Sequence, residues 1–142
     1  MNLTINKEIK SVLHMEELFF KEISFVRKQN TLDTENGKIE FEVKPIIERD
    51  NLKVNLISDI FADEFFSLHI ELYGKFSVQG DDILFESLLP NAIAIMFPFL
   101  RSQVTLISSQ PNFEAIVIPA ININKLLSEQ EKCNNLHQLD DE

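Results

Sequence analysis

Glycine is scarce in this chain: Gly37, Gly74 and Gly80 are the only three among 142 residues, and each stands alone. A loop that cradles phosphate needs several glycines close together, so P-loop and dinucleotide fingerprints are excluded, and Gly-x-Ser-x-Gly is absent too. Cysteine is reduced to Cys133, which rules out an intrachain disulfide and a thiolate zinc cluster and suits a reducing, cytoplasmic compartment. Residues 1–20 lack the basic flank, apolar run and small-residue cleavage site of a secretory leader, so the chain is expected to stay inside the cell. The longest apolar run, 92–100, is interrupted by Pro98 and reaches about half the length of a membrane span. Basic residues are outnumbered, 13 Lys and Arg against 23 Asp and Glu, for a formal charge of -10. That charge repels phosphate backbones and anionic headgroups, so neither nucleic acid nor a membrane is an expected partner.

The catalytic inventory is equally thin. Histidine occurs only at 14, 69 and 137, in no metal-binding spacing. Cys133 and His137, four apart, share a helix face as a nucleophile and base, but no third orienting group accompanies them in that polar segment. Acidic residues are plentiful, yet paired catalytic carboxylates need a dry pocket to drive their pKa values apart. The expectation is a protein that is not an enzyme and uses no cofactor and no metal.

What is present is patterned hydrophobicity, enough for one domain over 1–142. In 1–13, Ile5, Ile9 and Val12 follow helical spacing, which predicts a short helix or an arm over 1–15. From Leu18 to Arg27, aromatic and β-branched residues predict a first strand. After turn-forming residues over 30–38, Ile39, Phe41 and Val43 alternate with Glu40, Glu42 and Lys44 in a second strand, whose Pro45 points to an edge or a bulge. Leu52, Val54 and Leu56 open a third strand. The fourth has the cleanest alternation: Phe66, Leu68, Ile70, Leu72, Phe76 and Val78 on one face, Ser67, His69, Glu71, Tyr73, Lys75 and Ser77 on the other. The short Ala62-Asp63-Glu64 link makes strands three and four an antiparallel hairpin.

Past Gly80 the period becomes helical up to Ser108, with a stretch apolar on several sides that predicts burial all round. Pro90 suits the first turn of a new helical piece and Pro98 a kink. Ile116 to Pro119 reads as extended, Asn122 as the N-cap of a helix running to Lys132, and 133–142 as a flexible acidic tail. Twelve Phe exceed what one sheet and one long helix cover, which implies a subunit interface or a binding groove.

Three stretches carry a family resemblance. Pro90-Asn91 followed by Met96-Phe97-Pro98-Phe99-Leu100-Arg101 resembles the Pro-Asn and Leu-Phe-Pro-Tyr-Ala-Arg signature in the long helix of SecB, the protein-export chaperone. Pro119-Ala120-Ile121-Asn122-Ile123-Asn124-Lys125-Leu126 is similar to the Pro-Val-Asn-Phe-Asp-Ala-Leu segment near its last helix. Leu18-Phe19-Phe20-Lys21-Glu22-Ile23-Ser24-Phe25 looks like its first strand, and Gly74-Lys75-Phe76-Ser77-Val78 adds a lesser match. The matches span 18 to about 128 in the family's order. The resemblance implies an α+β fold, a four-stranded antiparallel sheet with a long proline-kinked helix and a C-terminal helix on one face. It also implies tetramers built as dimers of dimers, and passive binding of unfolded polypeptide without ATP, in export or for a dedicated client such as a labile antitoxin. An oligomeric adaptor without chaperone activity is the alternative of another class.

Client binding in the family uses grooves beside the second strand and the last helix. By position this implies Ile39, Phe41 and Val43 facing Ile123, Leu126 and Leu127. The family's docking surface for the translocase motor SecA uses two carboxylates of the first strand and a Leu-x-Glu of the fourth. Here Glu22 keeps the first charge, while Val26, Ser67 and His69 stand at the other positions. The family's Gly-Gly-Phe-Pro-Pro loop is likewise replaced by Gln110-Pro111-Asn112-Phe113. These departures imply weakened SecA docking.

Overall fold

The computed structural model describes residues 1–4, 13–28, 37–48, 51–78 and 85–140, with 85–87 and 132–140 as backbone alone. Four strands, β1 (Leu13–Arg27), β2 (Lys38–Ile47), β3 (Asn51–Ala62) and β4 (Phe66–Val78), precede two helices, α1 (Phe85–Ser108) and α2 (Ile123–Asp140). The strands form one antiparallel sheet in the order β1-β4-β3-β2. Both helices lie on the same face, giving the α+β layering that the sequence predicts. The expected helix or arm falls mostly on residues 5–12, outside the described residues.

The alternation along β4 holds as read. Phe66, Leu68, Ile70, Leu72 and Phe76 are at most 1% exposed beneath the helices. Ser67, His69, Glu71, Tyr73 and Lys75 face outward and are partly exposed. The β3–β4 hairpin closes with a bond from Phe65 N to Ala62 O at 2.8 Å. Pro45 lies on an edge strand, as its missing donor requires. β1 is longer than the sequence predicts, starting at Leu13, and is irregular: its register against β4 slips between Met15 and Glu17 and again between Phe20 and Glu22. Each slip switches which of its residues, odd or even, faces the helices.

α1 presents Leu88, Ala92, Ile93, Met96, Leu100 and Val104 to the sheet at helical spacing, all buried. It approaches β4 so closely at Gly74 that a Cβ there would meet Met96 Sδ at 2.9 Å. Two readings of this helix need correction. It is one helix through Pro90 rather than a new piece beginning there, because packing onto the sheet holds the backbone where one donor is missing. Nor is it buried all round: Leu106 is 65% and Phe99 47% exposed, since a single sheet covers one side only.

The return segment is fastened to α1 by side chains. Arg101 Nε donates to Ile118 O at 2.9 Å, Thr105 Oγ1 to Ile116 O at 2.8 Å, and Ile116 N donates to Ser108 Oγ at 2.8 Å. The turn before it places Asn112 at φ 56°, a left-handed conformation that asparagine tolerates. Arg27 reaches across from β1 to the carbonyls of Pro111 and Asn112. Asn122 caps α2 as predicted, its Oδ1 accepting from Lys125 N at 3.0 Å. The helix then runs to Asp140 instead of ending at Lys132; residues 133–140 contain neither Gly nor Pro to stop it. Among the described residues, no helix is long and apolar enough to cross a membrane.

Candidate functional site

β2 is where the fold leaves apolar surface beside a sheet edge. Its inner-facing residues grade from buried to open: Val43 is 1% exposed, Phe41 is half-buried, and Ile39 is 39% exposed. Phe41 stacks edge-on against Phe97 of α1, with ring centroids 5.8 Å apart. The aromatic signature in α1 thus serves as the floor beneath β2.

Two clefts flank this floor. One, of about 630 Å³, lies between β2 and the helices and is lined by Val43, Pro45, Leu89, Pro90, Leu127 and Gln130, among others. The other, of about 360 Å³, opens at the far end, where Ile39 and Ile60 meet Ile116, Val117 and Pro119 of the return segment. The six residues implied by the resemblance are therefore distributed unevenly. Val43 and Leu127 share the first cleft, Ile39 belongs to the second, and Phe41 lies against α1. Ile123 and Leu126 are half-buried, packed on the core.

One contact at this site escapes a reading by composition. Gln130 of α2 donates its amide to Val43 O and accepts from Val43 N at 2.7 Å, taking both polar groups of that peptide. In a sheet, those two bonds would come from a neighbouring strand. The sequence does carry a signal for it. Ile123, Leu126, Leu127 and Gln130 fall at i, i+3, i+4 and i+7, so a lone amide occupies the apolar stripe of α2.

The outer face of the sheet holds the positions that the resemblance relates to SecA docking in other proteins. Cross-strand partners there are Glu22 with Glu71, Ser24 with His69, and Val26 with Ser67, so the residues that depart from the family pattern form one surface. His69 Nδ1 donates to Asp59 Oδ1 at 2.6 Å and its Nε2 lies 3.4 Å from Glu22 Oε2. The bond to Asp59 and the surrounding carboxylates push the His69 pKa above that of a free imidazole, against a smaller opposing effect of burial. Cys133 and His137 lie on the backbone-only part of α2, outside the described side chains.

No protein-family model matches the chain. It is 26% identical over 119 residues to the protein-export protein SecB of Ehrlichia canis, a match covering 76% of this chain and 67% of that one. Its fold is similar to that of a SecB-like chaperone from Mycobacterium tuberculosis solved with an antitoxin peptide, with a TM-score of 0.64, 11% identity, and coverage of 78% of this chain and 88% of that one. A protein of unknown function from Streptococcus agalactiae shares the fold at a TM-score of 0.50 and 9% identity, over 76% of this chain and 97% of that one. With the strand order, the fastened return segment and the aromatic floor in place, this chain is similar in sequence to SecB and in fold to a SecB-like chaperone.

Proposed function

We propose that this protein is an ATP-independent chaperone that holds extended, non-native polypeptide along β2, and that it works in the cytoplasm by binding rather than catalysis. The observation that carries this reading is the β2–α2 edge. A graded apolar strip of Ile39, Phe41 and Val43 runs between two clefts, beside a backbone edge whose Val43 peptide is engaged by a side chain and not by a strand. Each client Leu or Phe side chain taken up in such a cleft contributes about 2 kcal/mol. A bond to the strand edge adds about 1 kcal/mol. Binding would accordingly sum over several weak positions, which suits many sequences and needs no nucleotide to release them.

A dedicated client, such as an antitoxin, is the more specific form of this reading. It is favoured by Val26, Ser67 and His69 on the outer face, where Glu22 is the one carboxylate retained for SecA. The similar chaperone solved with an antitoxin peptide points the same way. The exposed Phe19, Ile23 and Val26 on β1, with Phe99 and Leu106 on α1, supply apolar surface for self-assembly, as a tetramer of paired dimers would need. An adaptor that only oligomerises would use that surface and leave β2 idle. Suppression of aggregation of an unfolded client separates these readings. Wild type is expected to suppress it and Phe41→Asp to lose most of the effect; equal suppression by both removes the β2 strip from the site.

A further inference from the structure

Glu22, His69 and Glu71, on the sheet face away from the helices, place one ligand atom each within 4.8 Å of one another. The polypeptide-binding strip along β2 makes no contact with them. Their convergence is built by the backbone. His69 and Glu71 are two apart on β4 and so share its outer face. Glu22 joins them only because β1 slips register between Phe20 and Glu22. Before the slip Phe19 pairs with Tyr73 on this face; after it Glu22 pairs with Glu71, whereas an unbroken alternation would turn Glu22 toward the helices.

The His69–Glu22 pair has the spacing of two ligands on one ion. Asp59 occupies His69 Nδ1 at 2.6 Å and turns Nε2 toward Glu22, the arrangement in which an outer carboxylate orients a metal-binding imidazole. Nε2 and Glu22 Oε2 are 3.4 Å apart. That exceeds a charge-assisted hydrogen bond of about 2.8 Å, but two ligands each about 2.1 Å from a tetrahedral ion lie about 3.4 Å from one another. The facing Glu22 and Glu71 also repel across the strands, and a dication between them would relieve that repulsion.

We propose that Glu22, His69 and Glu71 bind a divalent transition metal ion, zinc by the imidazole-carboxylate character of the set, with Asp59 as the residue that orients His69 and solvent completing the coordination. The site ties β1 to β4 at the bulge and is independent of the clefts beside β2.

Calorimetric titration of the full chain with zinc chloride, with circular dichroism to verify each variant's fold, tests this. One ion per chain is expected. His69→Gln should weaken uptake by at least about tenfold and Asp59→Asn by about tenfold. Glu71→Gln should weaken it several-fold, and Cys133→Ser should leave it unchanged. Absence of saturable uptake by the wild type overturns the proposal, as does uptake that survives His69→Gln or disappears in Cys133→Ser. If His69→Gln alters the fold, Glu71→Gln carries the same reading.

Discussion

β1 and β2 are the two edges of one sheet, pairing with β4 and β3 respectively, and they treat their free sides differently. β2 is 10 residues long, carries Pro45, and has its Val43 peptide held by Gln130. β1 is 15 residues long, slips register twice, and exposes Met15, Phe19, Ile23 and Val26. An edge strand invites another strand unless something interrupts it. On β2 the interruption is a side-chain contact over an apolar strip, which suits a partner able to displace it. On β1 the exposed apolar residues are divided between the two faces, Phe19 and Val26 outward and Met15 and Ile23 on the helix side, and the outer pair suits a second copy of the chain.

The comparison is broken most forcefully at Val43. Val43→Asp places a charge at a site 1% exposed and is expected to cost at least about 3 kcal/mol, seen as a lower urea midpoint; an unchanged midpoint would mean that β2 does not pack as described. Gln130→Ala removes both bonds to the Val43 peptide and should destabilise by about 1–2 kcal/mol in the same assay. Because it opens the edge, it should strengthen client holding per folded molecule. Val26→Lys on β1, where the side chain is 49% exposed, should shift stability by no more than about 0.5 kcal/mol. Light scattering should nevertheless report a smaller assembly. If Val26→Lys abolishes client holding while the assembly stays intact, the roles assigned to the two edges are exchanged.

Much of this architecture was legible in the chain. β4 sits at the sheet's centre beneath α1, so burial on one face writes a strict period of two, and Phe66 to Phe76 report it. Asn122 announced the start of α2 through its capping chemistry. β1 was harder, because two register slips break the alternation, so that Phe20 and Phe25, one even and one odd, both pack toward the core. The exposed side of α1 was also hidden: apolar residues on every side look alike whether the second layer belongs to this chain or to a partner. Ile39, Phe41 and Val43, proposed to hold client, were singled out only through the family resemblance, and the Gln130 contact beside them spans 87 residues and depends on how α2 crosses the edge. The convergence of Glu22, Asp59, His69 and Glu71 involves three strands and a bulge, so no spacing in the sequence encodes it.

Hydrogen exchange at individual amides, with and without an unfolded client, tests the central claim most directly. Client binding along β2 predicts added protection at Ile39 to Val43 and at Ile123 to Leu127, with β1 unchanged. Protection confined to β1, or none on either strand, would contradict it.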